Sequence, residues 1–451
     1  MTPGARLQAA IELLAGIHGG SAPADRAAAS FFRNRRYIGG QDRRAVLDRT
    51  YAVLRRRAAL DWWIARAAAE GAPPADPERA RMIAALALLE GWSADRVAGA
   101  FDGGQYRPAR LTEAERGLAR ALEGHSIEHP AQPAPVRLEF PGWMEPAFRD
   151  AFGGAMEHEL AALMVEAPLD LRVNALKGGR DAAQAALAAE GVQSEPTPLS
   201  PLGLRVAGRP PLATLQSFKD GLVEVQDEGS QLVALLADAR PGQRVVDFCA
   251  GAGGKTLAMA ASMANKGHLV AADVLQGRVD RAAVRLRRAG VHNVERRGLS
   301  SERDPWVKRH ARRFDRVLVD APCSGCGTWR RNPDQKWRLT ADGLAELVAL
   351  QARILESAAR LVKPGGRLIY ATCSLLAAEN EAQVARFLAA APDFAPLAVA
   401  GIWAAAIGGA WPGGAGDWLR LTPARHGCDG FFVAVLGRAA AAAASEPEAD
   451  S

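Results

Sequence analysis

The chain has 451 residues, 49% hydrophobic and 24% charged, a balance that excludes a disordered, collagen-like or disulfide-scaffold protein. Lys and Arg number 56 against 50 Asp and Glu, a net charge of +6, which is compatible with an anionic partner without demanding one. The length suggests roughly three domains, and no apolar run approaches the ~18 residues of a membrane span.

Residues 1 to about 130 are rich in Ala, Leu and Arg and poor in β-branched residues, which predicts helices. The first twenty, interrupted by Glu12, read as an amphipathic helix and not as a signal peptide. Between Arg33 and Arg57 nine Arg stand against two Asp, with Phe31, Phe32, Tyr37 and Tyr51 among or beside them. A solvated helical face and an RNA-binding face both fit such a run. HPAQPAPVR, residues 129–137, has the composition of a linker. A small α/β unit from about 140 to 220 follows, with a short helix in FPGWMEPAFRDAFGG, strand-like LRVNALKG and LGLRVAG, and a helix in RDAAQAALAAEG. From about 221 to 437 strands RVVDF, HLVAAD, DRVLVDA and GRLIYAT alternate with helices, predicting a doubly wound parallel sheet. DGFFVAVL is a last strand that could run antiparallel, and RAAAAAASEPEADS has a disordered composition.

The first strand of that sheet ends at Asp247 and runs into FCAGAGGKT. Gly251, Gly253 and Gly254 stand where a strand must turn into a helix, a turn that lets backbone approach a ligand. Asp273 ends the next strand, where a carboxylate can accept from both hydroxyls of a ribose. The G-x-G-G spacing departs from the nicotinamide fingerprint and suits a cofactor without a pyrophosphate, such as S-adenosylmethionine. Lys255 opens the following helix, where a cation opposes the helix dipole, which suggests another use for its ammonium.

Five cysteines, Cys249, Cys323, Cys326, Cys373 and Cys428, are an odd number in a long chain. That argues for a reducing compartment, and so the cytoplasm, over a disulfide framework. Cys323 follows the strand ending at Asp320, and Cys373 follows GRLIYAT. Carboxyl ends of parallel strands form the ligand crevice, so two thiols and a carboxylate meet at one edge. Carbon 5 of a pyrimidine is a poor nucleophile, but a thiolate added to carbon 6 makes it enamine-like. A carboxylic group at N3 and the exocyclic amine assists, and acid–base help removes the carbon-5 proton afterwards. Methylation of an exocyclic amine needs no thiol. Cys323 and Cys326 also form C-x-x-C, though no second pair completes a zinc site, and Cys249 reads as packing.

With these residues in view the chain resembles the RNA (cytosine-5) methyltransferases, most closely the bacterial RsmB (Sun/Fmu) branch. The resemblance rests on DFCAGAGGKT, VDAPCSGCGTWRRNPD and ATCSLLAAENE, supported by VQDEGSQLV, LRVNALKG and HGCDGFFVAVL. It implies a class I methyltransferase with a doubly wound, mostly parallel, Rossmann-like sheet over 221–437. An all-α NusB-like RNA-binding domain would span 1–130, a small α/β RNA-recognition-like unit 140–220, and a disordered tail 438–451. Cys373 would be the nucleophile and Cys323 would assist release, with Asp320 and Lys255 at the cytosine. The cofactor S-adenosylmethionine would lie against Cys249, Ala250, Gly251, Ala252, Gly253, Gly254, Lys255, Asp273, Arg278, Ser300 and Asp320. Gly251 and Ala252 replace the family's Ala-Pro, and Ser300 or Ser301 stands where its third segment carries Asp. Residues 278–338 hold 17 Lys and Arg against 7 Asp and Glu, and RNA contacts would fall to Arg172, Asn174, Trp329, Arg330 and Arg331. The partner implied is RNA, small-subunit ribosomal RNA first, with no membrane and a monomeric chain. Transfer RNA, or an RNA-assembly role without turnover, are the alternatives.

Overall fold

The computed structural model describes residues 1–68, 74–414 and 416–440. It divides into two compact units, one of residues 1–165 with 329–340, the other of 166–328 with 341–451. Of the expected tail, 438–451, residues 441–451 lie outside the described residues, and its first residue, Arg438, instead closes the last strand.

The first unit is helical. Its helices include Pro3–Gly19, Ala24–Arg33, Gly40–Arg55, Arg57–Ala68, Pro77–Leu88, Ala94–Ala100 and Glu113–Leu122. Local chemistry sets their starts. Asp76 accepts from the Glu78 and Arg79 amides ahead of Pro77, and Thr112 and Glu115 form a reciprocal capping box. Leu7, Leu14, Ile17, Val53, Leu60, Ile83, Leu86 and Leu122 fill its core. The stretch with linker composition does not hang free. Gln132 is buried and donates to the Ile127 carbonyl, and Ala134–Arg137 makes one helical turn. Beyond it the buried Glu139 accepts from the Ala58 and Ala59 amides at the start of Arg57–Ala68.

Residues 329–340 are also held in this helical unit. Arg338 donates to the Ile17, Gly20 and Ala22 carbonyls, Asp334 accepts from the Ala24 amide, and Arg55 donates to the Arg330 carbonyl.

The second unit opens with an antiparallel sheet of β1 (Leu169–Val173), β2 (Ser194–Pro196), β3 (Gly203–Val206) and β4 (Val223–Val225), in the order β2-β3-β1-β4. The main sheet follows with β5 (Arg244–Asp247), β6 (His268–Asp273), β7 (Val294–Gly298), β8 (Phe314–Asp320), β9 (Val362–Thr372), β10 (Phe394–Leu397), β11 (Trp418–Leu421) and β12 (Phe431–Arg438). Its order is β10-β12-β9-β8-β5-β6-β7, with β11 beside β12. Strands β5 to β9 pair parallel, while β12 runs antiparallel to β9, as DGFFVAVL allowed. The central strands bury both faces, with Val245, Val246, Val317, Leu318, Val319, Leu368, Ile369 and Tyr370 all at or near zero exposure, as a sheet covered on both sides requires.

The sequence reading omitted β7. VERRG carries few apolar residues because it is an edge strand whose residues stay half or fully exposed.

Candidate active site

Strand order reverses at β5, which lies between β8 and β6. In open parallel sheets that point opens a crevice beyond the strands' carboxyl ends. The register brings three such ends together, since Asp247 pairs with Leu318 and Asp320 with Ala371. The loops after β5, β8 and β9 therefore share one edge.

The loop after β5 is built to stay open. Gly253 sits at φ +82° ahead of the helix Gly254–Ser262, and a Cβ there would stand 3.1 Å from the Ala282 Cβ. Arg285 donates to the Ala252 carbonyl and Arg172 to that of Gly254, both at 2.7 Å. Asp247 is fully buried, and the Thr256 hydroxyl donates to it at 2.6 Å. Burial pushes the Asp247 carboxyl up to about 7.

Asp273 accepts from the Gly251 amide at 2.9 Å and the Leu275 amide at 2.8 Å. Two of the roughly four lone-pair sites of its carboxylate stay available, and a Cβ built at Gly251 meets open space. A positive-φ loop, an accepting carboxylate and space above the loop fit the ribose and amino-acid parts of S-adenosylmethionine. Cys249 is half-buried, and its thiol is pushed up by burial and the nearby carboxylates. Arg278 is exposed, and the Ser300 hydroxyl is taken by Asp304 at 2.9 Å.

Beside this loop, Lys255 donates to Asp320 at 2.7 Å. Burial lowers the Lys255 pKa, but Asp320, joined by Cys373 and Asp247, outweighs it and holds the ammonium above its ordinary range. The Lys255 ammonium also lies 5.3 Å from the centre of the Phe431 ring and feels the Cys373 thiol. The Cys323 and Cys373 sulfurs are 3.5 Å apart. Their hydrogen bond, then burial, pushes the Cys323 thiol well up. Cys326 is not paired with Cys323. It is buried, accepts from the Leu375 amide at 3.0 Å and contacts Ser374, and burial pushes its thiol to about 11.

Two glycines let the cysteine loops close on each other. The Gly327 amide donates to the Cys373 carbonyl, and the Gly430 amide to that of Gly327, both at 2.9 Å. A Cβ on Gly327 would collide with the Gly430 backbone. This gives the HGCDGFFVAVL segment a physical purpose that its sequence alone does not state.

The structure brings together Asp320, Lys255, Cys323, Cys373 and the glycine loop, but it places the expected RNA contacts differently. Arg172 is buried, donating to Gln226 and Gly254. Asn174 is buried, donating to the Gly221 and Ala289 carbonyls. Trp329 is buried edge-on to Phe148 in the helical unit, and Arg330 is buried there too. The polar groups of Arg172 and Asn174 serve the fold, as buried polar groups usually do; Arg331 is only partly covered. Sequence reasoning missed Arg285 as a clamp on the loop, since one arginine in a basic helix carries no distinguishing signal.

Comparison with known proteins places this arrangement. The model of the 16S rRNA methyltransferase RsmB/F family matches residues 234–437, and that of the RsmF/B-like ferredoxin-like domain matches 140–213. A Synechocystis protein named probable ribosomal RNA small subunit methyltransferase B is 32% identical over 416 residues, 88% of this chain and 92% of that one. The ribosomal RNA small subunit methyltransferase B of Salmonella newport is 35% identical over 260 residues, 58% of this chain and 60% of its own. Among solved structures, a methyltransferase homologue from Pyrococcus horikoshii superposes with a TM-score of 0.58 at 28% identity, covering 68% of this chain and 97% of that one. The chain belongs to the RsmB/F family of ribosomal RNA small-subunit methyltransferases, enzymes that use S-adenosylmethionine.

Proposed function

We propose that the enzyme methylates carbon 5 of a cytosine in small-subunit ribosomal RNA, with Cys373 bonding transiently to carbon 6. The observation that carries this reading is the pair of thiols 3.5 Å apart beside a lysine–carboxylate pair, equipment that amine methylation does not use. The Lys255 ammonium is within electrostatic reach of Cys373, and the thiolate is the nucleophilic form of a cysteine. That thiolate adds to carbon 6 while Asp320 and Lys255 hold the ring's N3 and exocyclic amine. S-adenosylmethionine, when bound, supplies an electrophilic methyl group for carbon 5.

Cys323 then acts. Its hydrogen bond to Cys373, then burial and that neighbour's charge, push its thiol well up. Once Cys373 is a thioether that charge is gone, and Cys323 gives its own proton to water before the step that needs a base. Its thiolate takes the carbon-5 proton, the ring re-forms its double bond, and Cys373 leaves as thiolate.

The helical residues 1–130 are assigned to RNA binding, as a NusB-like domain of a monomeric enzyme. Within the Arg33–Arg57 run, Arg35 and Arg49 pair with Glu12 and Glu90. Arg55 and Arg57 meet the Arg330 carbonyl and Asp61. Arg33, Arg36 and Arg44 are exposed, beside a 75% exposed Tyr37, and these suit a phosphate backbone. The test is digestion to nucleosides after incubation with small-subunit ribosomal RNA and labelled S-adenosylmethionine, with bisulfite mapping of the site. Label in 5-methylcytidine is expected; label in an N-methylated cytidine would overturn the reading.

A further inference from the structure

Glu379 is fully buried in the turn Ala377–Glu379, six residues beyond Cys373. Four donors converge on its carboxylate. Oε1 accepts from the Ser324 amide at 2.8 Å and from Gln351 Nε2 at 2.9 Å. Oε2 accepts from the Ser324 hydroxyl at 2.5 Å and from the Ser374 hydroxyl. Ser324 is the residue after Cys323, and Ser374 the residue after Cys373. One carboxylate oxygen thus holds the immediate neighbours of both thiols.

The surrounding bonds make that oxygen's position rigid. The Tyr370 hydroxyl donates to the Glu379 carbonyl at 2.6 Å, and Gln351 also donates to the Pro322 carbonyl at 2.9 Å. Next door, Asn380 accepts from the Thr372 hydroxyl at 2.6 Å and donates to the Ser374 carbonyl at 3.0 Å. A fully buried carboxylate is expensive unless its lone pairs are filled, and here four donors fill them. Stability alone does not require those donors to come from both cysteine loops.

We propose that Glu379 is a positioning residue that sets the spacing of the Cys323 and Cys373 thiols, acting through Ser324 and Ser374. It deepens the cysteine reading above and rests on it. Glu379 touches neither RNA nor cofactor. It fixes the backbone on which each sulfur is carried, and its carboxylate is among the smaller influences that push the Cys323 thiol up.

The test compares Glu379→Ala, Glu379→Gln and the double variant Ser324→Ala/Ser374→Ala with the parent enzyme. Misplacing reacting groups by about 1 Å costs roughly 100-fold, so Glu379→Ala should lose about that in kcat. KM for RNA and affinity for S-adenosylmethionine should stay close to the parent's. Glu379→Gln should recover part of the rate, because it still accepts from the hydroxyls. In that variant, peptide-resolved alkylation of Cys323 by iodoacetamide should move to lower pH, a change that a purely structural role would not produce.

Parent-like kcat in a folded Glu379→Ala enzyme would overturn the proposal. So would loss of cofactor affinity in step with kcat. If Glu379→Ala does not fold, the serine pair decides: a lowered kcat with intact cofactor binding supports the brace, and an unchanged kcat removes it. An active Cys373→Ser enzyme would instead sink the underlying cysteine reading.

Discussion

Each unit buries a lysine within electrostatic reach of a carboxylate, and the two surroundings push the lysines in opposite directions. In the helical unit, burial raises the Glu139 carboxyl and lowers the Lys336 ammonium, so both are pushed toward neutrality. In the sheet unit, the attraction of Asp320, joined by Cys373 and Asp247, outweighs burial and holds Lys255 charged. Exposure separates them. Glu139 and Lys336 are 1% and 3% exposed, whereas the Asp320 side chain keeps 30% of its surface at the strand-end crevice. A pair closed on both sides satisfies a fold. One open on the acid side keeps a charge ready for a ligand.

The sharpest way to exploit that contrast is inside the sheet unit. Cys323→Ser should stop turnover while addition proceeds, leaving a protein–RNA adduct that survives denaturation and shows as a shifted band. No adduct with substrate bound would break the division of labour between the two thiols. Lys255→Met should cost about 100- to 1,000-fold in methylation, the typical loss on removing one preorganised electrostatic partner, with the melting temperature little changed. Its counterpart Lys336→Met, in the helical unit, should leave the methyl-transfer step intact. Equal losses in the two variants, measured by single-turnover transfer of labelled methyl, would dissolve the contrast.

The outer face of the helical unit gives a smaller effect. Replacing Arg33, Arg36 and Arg44 with Ala should weaken RNA binding and reduce the slope of log affinity against log salt by about 2, the share of three phosphate contacts on a single strand. Titrations at several salt concentrations measure it, and an unchanged slope would move the RNA-binding face elsewhere.

Asp247 offers a comparison by pH. Its folded pKa is raised to about 7. The stability it contributes is full below the ordinary carboxyl range near 4 and is lost as pH rises through about 7. Thermal melts of Asp247→Asn should show less loss across that interval, by about 2 to 4 kcal/mol at most. Parallel curves would contradict the assignment. The smallest change is expected for Glu139→Gln with Lys336→Met together, which removes a costly buried pair and should leave stability within about 1 kcal/mol or raise it.

The main sheet was legible because β5, β6, β8 and β9 are apolar runs that end in chemistry, at Asp247, Asp273, Asp320 and Cys373. A strand that buries both faces cannot hide its composition. β7 was not legible, because an edge strand reading VERRG looks like a loop. In the candidate site, the residues that would meet ligand stood out by position, while those that hold them did not. Arg172 stood as an RNA contact through the family resemblance; the carbonyl of Gly254, 82 residues away, gives it an interior partner. Glu379 lies within a recognised motif, but its purpose depends on Ser324, which the fold brings from 55 residues upstream. Contacts of that range are set by topology and leave no local pattern.

The most direct test of the central claim is methyl transfer by Cys373→Ser, measured alongside its affinity for S-adenosylmethionine. A bond from sulfur to carbon 6 predicts that transfer falls by at least about 1,000-fold while cofactor affinity is unchanged. Transfer at the parent rate from the serine enzyme would contradict it.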